Sequence, residues 1–231
     1  ARVNYTYADK YMLTASVRSD GASQLSDGHK WASFPSVALG WRIDQEKFMQ
    51  KADFISNLKL RLGYGISGNY AVSAYATQGA VQSNYYAWGS MDPTVGYLPS
   101  DASAKNPNKM ANLDLGWEKT KQWNLGLDFG FINNRISGSV DYYHNKTTDL
   151  ILATTIPSLT GYTSTFANVG ETSGWGVDLQ LNAIPVKTKD FEWNTSLTWT
   201  IDRNRVDKLN NGVKENVNDC LFVGEEIGVY Y

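Results

Sequence analysis

Apolar side chains recur at every second position along most of this chain. Tyr11, Leu13, Ala15 and Val17 alternate with Met12, Thr14, Ser16 and Arg18, and Val37, Leu39, Trp41 and Ile43 alternate with Ser36, Ala38, Gly40 and Arg42. Leu58, Leu60, Leu62, Tyr64 and Ile66 follow the same rule against Lys59, Arg61, Gly63, Gly65 and Ser67. So do Trp123, Leu125, Leu127, Phe129 and Phe131 against Asn124, Gly126, Asp128 and Gly130. Ile136, Val140 and Tyr142 continue the pattern, then Trp175, Val177, Leu179 and Leu181, then Phe191, Trp193, Thr195, Leu197, Trp199 and Ile201; Val3, Tyr5 and Tyr7 begin it. Side chains alternate between the faces of a strand, so the pattern predicts about eight strands. Many runs reach about 9–11 residues, the length a tilted strand needs to cross a bilayer.

A soluble sandwich also has one buried face, so alternation alone does not identify a membrane barrel. Three further features do. The connections alternate between short (Asp9-Lys10, Ile132 to Arg135, Ala183 to Asp190) and long (Gly21 to Ser33, Gly68 to about Gly116, His144 to Ser173). Outer-membrane barrels have short periplasmic turns and long extracellular loops. With that polarity, Tyr7, Tyr11, Trp41, Phe131, Phe191 and Trp193 fall low, and Tyr64, Trp123, Tyr142, Trp175 and Trp199 fall high, as two aromatic girdles. Lastly, the polar face mixes small and charged residues, as a hydrated lumen would. Arg18, Arg42, Lys59, Arg61, Asp128, Asp141 and Asp178 are its expected lumen-facing charges.

The expected fold is all-β: a transmembrane antiparallel β-barrel segment of about eight long meander strands with short periplasmic turns and long extracellular loops. The chain starts inside a strand and stops in another strand-like run, Phe222 to Tyr231, so residues 1–231 read as part of a larger barrel. Phe48, Ala52 and Ile55 fall at helical spacing, which predicts a short amphipathic helix within Asp44 to Asn57 on the periplasmic side.

Composition narrows the function. A net charge of -2 without a basic stripe argues against nucleic acid as a partner. Cys220 is the lone cysteine, and neither His29 nor His144 has a ligand at metal spacing, so no metal or other cofactor is expected. No apolar run is long enough for a transmembrane helix.

Asp9-Lys10-Tyr11-Met12-Leu13 followed by Arg18-Ser19-Asp20-Gly21-Ala22-Ser23 resembles the strand-to-loop signature of SusC/RagA-type, TonB-linked outer-membrane transporters. Phe34-Pro35-Ser36 with Gly40-Trp41-Arg42-Ile43, and Leu58-Lys59-Leu60-Arg61 with Gly65-Ile66-Ser67-Gly68-Asn69, are similar to following strands of that family. Asn112-Leu113-Asp114-Leu115-Gly116-Trp117-Glu118, Gly138 to Tyr143, Asn168-Val169-Gly170, Gly174 to Val177 and Val223 to Gly228 extend the resemblance in order along nearly the whole chain. Ala22 and Leu25 stand where the family commonly has Ser and Phe, and Leu113 where it often has Pro, departures that bear on loop conformation.

The resemblance implies a segment of a large plugged barrel importing glycans or peptides, beneath a SusD-like surface lipoprotein and driven by TonB through a plug region outside these residues. It implies outer-membrane lipid around the wall and no enzymatic role. A self-contained eight-stranded outer-membrane barrel with a structural or adhesive role is the alternative, and a soluble carbohydrate-binding sandwich a third reading.

Other motifs have simpler explanations. Gly63-Tyr64-Gly65-Ile66-Ser67-Gly68 matches a dinucleotide fingerprint but opens no predicted helix. Asp128, Asp141, Asp178, Glu192 and Asp202 read as lumen charges rather than catalytic carboxylates, and both histidines as solvated loop residues. In the long outer loop, Tyr85, Tyr86, Trp88 and Tyr97 are candidates to touch substrate or the lipoprotein, because exposed aromatics stack on sugars or bury against a partner. Tyr11, Trp41, Trp123, Trp175, Trp193 and Trp199 are the principal girdle candidates.

Overall fold

The computed structural model describes residues 1–49, 51–78, 80–87, 93–100, 109–157, 159, 162–217 and 220–229. Its strands are β1 (Arg2–Tyr7), β2 (Tyr11–Gly21), β3 (Trp31–Arg42), β4 (Ile55–Asn69), β5 (Ala80–Ala87), β6 (Pro93–Ser100), β7 (Lys109–Met110), β8 (Glu118–Phe131), β9 (Ile136–Thr155), β10 (Ser164–Lys187), β11 (Glu192–Lys208), β12 (Glu215–Asn216) and β13 (Leu221–Phe222). One antiparallel sheet runs β1-β2-β3-β4-β8-β9-β10-β11, with β7 added parallel to β10. The sheet is open, with β1 and β11 at its edges. Along the upper part of β11, Val206 bonds Gly224 and Glu225.

Register turns the alternation into rows that cross the whole sheet. On one face Tyr7, Tyr11, Trp41, Leu60, Leu127, Val140, Leu179 and Trp199 are successive cross-strand partners. Tyr5, Leu13, Leu39, Leu62, Leu125, Tyr142, Val177 and Ile201 form the next row. Many of these side chains stay exposed, Tyr7 at 60% and Trp199 at 50%, because the sheet covers them with nothing. A one-residue slip in any strand would break every row at once, so the apolar face and the tight turns fix register together.

The rows also give the strand tilt. Tyr11 is the first residue of β2, yet its row crosses β8 at Leu127, four residues before that strand ends at Phe131. The climb is about 14 Å over three strand spacings of about 4.8 Å, a tilt of about 43°. Low aromatics therefore stay near the turns while the rows rise past them. Tyr7 stacks on Tyr11 at 6.4 Å, Tyr11 on Trp41 at 6.5 Å, and Phe54 on Phe131 at 6.2 Å.

The predicted helix within Asp44 to Asn57 does not form. Two 3-10 turns, Ile43–Gln45 and Lys47–Met49, occupy its start, and Ile55 already opens β4 opposite Phe131. Side-chain anchors account for the difference: Arg42 Nη2 pairs with Asp44 at 3.0 Å, and the Glu46 carboxylate accepts from Tyr11 (2.6 Å), Trp41 (3.2 Å) and Lys10 (3.3 Å). These pull the chain into i-to-i+3 bonds such as Glu46 N–H to Ile43 O at 3.0 Å.

The hydroxyl of Tyr11, with Trp41 and Lys10, holds the Glu46 carboxyl below its ordinary range. A depressed carboxyl adds stability above its unfolded value and loses it as pH falls through the folded one. Between pH 5 and 3, this turn should grow more open to pepsin in the native chain until it matches Glu46→Gln, which keeps an acceptor but does not titrate and is the more open of the two above pH 5. Identical digestion of the two proteins at every pH would refute the anchoring role.

Three other expectations change. The long outer loop contains a hairpin of β5 and β6, even though Pro93 and Pro99 fall in β6. A two-stranded sheet leaves each strand an outer edge, where a missing N–H costs little. β9 and β10 run on to Thr155 and from Ser164, so the expected loop from His144 to Ser173 shrinks to its tip and His144 lies in a strand. Among the described residues of the C-terminal run Phe222 to Tyr231, Phe222 alone is strand, as the end of β13, while Tyr230 and Tyr231 lie outside the described residues.

The packed core lies at the loop end of the sheet. Leu115 (0% exposed) and Leu25 (1%) pack with Ala22, Phe34 and Trp117, joined by Ile66, Val72, Ile151 and Phe166. Ala22 and Leu25, the departures from the family pattern, are thus core residues.

Candidate functional site

On the polar face, Met12, Gly40, Arg61, Gly126, Asp141, Asp178 and Thr200 are successive partners. Arg61 reaches sideways from β4. Its guanidinium donates Nε to Asp128 at 2.9 Å and Nη2 to the other oxygen at 2.8 Å, and Nη2 also meets Asp141 at 2.9–3.0 Å. To reach β9 it must lie across β8, and the residue beneath it is Gly126. A Cβ there would stand 2.7 Å from the guanidinium carbon and collide with the Asp141 carboxylate. Asp178 sits directly opposite Asp141, a like-charge pair that would cost stability alone. The hydroxyl of Thr200 donates to Asp178 at 2.8 Å and Arg61 neutralises Asp141.

The arrangement repeats one row up. Tyr143 lies over Gly176 and donates its hydroxyl to Asp202 at 2.8 Å. Gly63 likewise makes room for the Asn124 side chain. The glycines of the supposed fingerprint lie within β4, which no helix follows, so the motif is strand. Asp128 and Asp141 are tied to one arginine, the arrangement of a structural brace.

The other expected charges separate. Lys59 faces Asp128 across the β4–β8 ladder. Arg42 serves the turn through Asp44, and Arg18 pairs with Asp20 at 2.8 Å and lies 5.7 Å over the Phe34 ring. Among the aromatics, Tyr64, Trp123, His144 and Trp175 form one row on the apolar face, where His144 stacks on Trp123 at 6.0 Å. That corrects the reading of His144 as a loop residue. Trp199 lies in the Tyr11 row.

Tyr85 and Tyr86 lie in β5 and Tyr97 in β6, with backbone pairing Tyr85 to Val95, Tyr86 to Thr94 and Tyr97 to Ser83. Trp88 lies outside the described residues.

Sequence reasoning missed the polar staple that holds the loops. The Asn168 side chain accepts from Gly116 N–H at 2.8 Å and donates to Gly116 O at 3.0 Å and Asp149 O at 2.8 Å. Asn112 donates to Phe166 O at 2.7 Å, and Ser26 bonds both Asn112 O and Leu115 N–H. Glu118 accepts from Asn69 at 2.8 Å and Ile151 N–H at 2.9 Å, closing the base of the β5–β6 excursion. Two motifs behind the family resemblance, at 112–118 and 168–170, therefore meet in space. Among the described residues no group of His, Cys, Asp and Glu could hold a metal.

The family model described as TonB dependent receptor-like, beta-barrel, matches residues 1–222. The TonB-dependent receptor SusC of Bacteroides thetaiotaomicron is 39% identical over 215 residues, covering 91% of this chain and 21% of that protein. The RagAB peptide importer in its open-open state superposes with a TM-score of 0.85 at 31% identity, covering 97% of this chain and 24% of that one. A further structure of the RagAB peptide transporter gives 0.82 over the same shares. The chain spans about a fifth of the length of the curated relatives it matches, at 21% of SusC. It is antiparallel wall of an outer-membrane barrel, in a family of receptors and not of enzymes, and it belongs to the TonB-dependent receptor β-barrel family.

Proposed function

We propose that this wall is part of an outer-membrane importer, powered by TonB through a plug region outside residues 1–231, that takes up glycans or peptides with a SusD-like surface lipoprotein. The observation that carries the reading is the superposition on the RagAB peptide importer over 97% of the chain at 31% identity. In this reading the polar rows with Arg18, Arg42, Lys59, Arg61, Asp128, Asp141 and Asp178 line the lumen, and the apolar rows face outer-membrane lipid. Tyr11, Trp41 and Trp193 form the periplasmic girdle; Trp123, Trp175 and Trp199 lie toward the outer one. Deleting the gene in its host should abolish growth on a glycan or peptide mixture that the intact strain uses, and loss of TonB should do the same. Growth unaffected by either deletion would overturn the proposal.

In the same reading, Tyr85, Tyr86, Trp88 and Tyr97 of the long outer loop touch the lipoprotein or the substrate. An alanine triple mutant of Tyr85, Tyr86 and Trp88 that still folds should lose roughly tenfold or more in lipoprotein capture or uptake, since buried aromatic contacts dominate such interfaces. Unchanged capture together with unchanged uptake would leave the hairpin without that role.

A further inference from the structure

Both ends of the long outer excursion close on one joint. At its outgoing foot Asn69, the last residue of β4, donates to Glu118 at 2.8 Å, and the Tyr70 ring meets the Trp117 ring edge-on with 5.0 Å between centres. At its returning foot β7 adds parallel to β10, and the pairing then continues through side chains. Thr165 donates its hydroxyl to Met110 O at 3.0 Å, Asn112 donates to Phe166 O at 2.7 Å, and Asn168 takes Gly116 N–H and gives to Gly116 O. Positions 165, 166 and 168 of β10 thus hold the returning segment as far as the point where Leu115 and Trp117 enter the core.

Asn168 can do this because it stands at a bulge. The register between β9 and β10 shifts between Asn168 and Gly170, near Asp149 with its positive φ of 60°. A bulge re-aims the side chain beside it. Here the amide spans from Asp149 O at 2.8 Å to both backbone groups of Gly116, and so ties the β9–β10 pair to the excursion. An amide makes all three contacts; a carboxylate would face two carbonyls with no proton to give them.

Among the described residues, β5 and β6 pair with each other and with no strand of the main sheet. The direction of the hairpin is therefore set at its clamped feet. A binding surface held in one orientation loses less freedom on meeting its ligand, so clamping strengthens capture without adding a contact. A folded protein meets the hairpin as a fixed surface and depends on that direction more than a small flexible cargo does.

We propose that Asn168 is a positioning residue for the β5–β6 hairpin: acting through Gly116, it fixes the direction in which the outer-loop aromatics meet the surface lipoprotein. The inference rests on the contact reading of Tyr85, Tyr86 and Trp88, which their alanine triple variant tests by itself.

The test uses the full-length receptor in nanodiscs, in a background with Cys220→Ser, with spin labels at Ser83 of β5 and at Ser23 between β2 and β3. The native side chain at 168 should give one narrow distance distribution, and Asn168→Ala should broaden it. Lipoprotein affinity should fall about fivefold or more although the aromatics are intact. Asn168→Asp, nearly the same size, should behave like Asn168→Ala because it loses both donated bonds. Asn194→Ala, at the far end of the sheet, should change neither measurement. Added to the alanine triple variant, Asn168→Ala should lower affinity no further, since it acts through the hairpin. Heat-modifiable migration confirms that each variant folds. An unbroadened distribution or undiminished affinity in Asn168→Ala, full function in Asn168→Asp, or a loss that adds to that of the triple variant would each overturn the proposal. A triple variant that captures the lipoprotein as the native receptor does would overturn the contact reading itself, and the proposal with it.

Discussion

Leu127→Arg should destabilise the full-length receptor in a bilayer by about 2–4 kcal/mol, the cost of a cation on a barrel's lipid face near mid-membrane. Leu127 lies between Leu60 and Val140 in the row that begins at Tyr7. Four residues above the end of its strand, it stands roughly 10 Å into the apolar band at a tilt of about 43°. Ser139→Arg places the same charge on the adjoining strand but on the other face, where Ser139 is opposite Asp128. That variant should stay within about 1 kcal/mol of the native protein, as surface substitutions do. Urea titration in lipid vesicles measures both. Equal losses would mean that the two faces share one environment, and the facing assignment would fail.

Arg61→Leu should cost about 1–3 kcal/mol, the range for stranding a partly buried hydrogen-bonded group. The upper figures known for fully buried ion pairs do not apply, because Arg61, Asp128 and Asp141 keep 32%, 28% and 25% of their side-chain surface exposed. Losing the guanidinium leaves Asp128, Asp141 and Asp178 in one patch without the cation that reconciles them. Asp128→Asn with Asp141→Asn should therefore recover part of the loss when added to Arg61→Leu. If the triple variant is no more stable than the single one in the same titration, repulsion is not what Arg61 relieves.

The wall was legible because each strand carries one kind of side chain on each face, so period-2 alternation reports both the strand and which residues share a face. Turn polarity was legible too, since Ala8, Asp9, Ile132, Asn133 and Asn134 compress their turns with positive φ, leaving no room for long connections. What could not be read depends on residues far apart in sequence. The braces from Arg61 to Asp141 and from Tyr143 to Asp202 require register between strands, and Gly126 and Gly176 acquire a purpose only once a long side chain is seen to cross them. Asn112 and Asn168 are separated by the whole of β8 and β9, so nothing local in either motif announces the staple. The expected helix failed for a different reason: Phe48, Ala52 and Ile55 also suit a chain of tight turns, and the choice was made by Glu46 reaching back to β2 and β3.

The position of the packed core gives the molecule two regimes of cohesion. Leu25, Leu115, Phe34 and Trp117 shelter from water, so the hydrophobic effect holds the loop end together as it would a small soluble domain. In the proposed bilayer setting the wall below has no such drive, since lipid tails would receive its leucines as readily as other leucines; backbone ladders and braces would hold it, and breaking a ladder would strand polar groups in hydrocarbon. Chaotropes therefore act on the first regime at lower concentrations than on the second. Heat or denaturant thus melts the crown while the staves still stand.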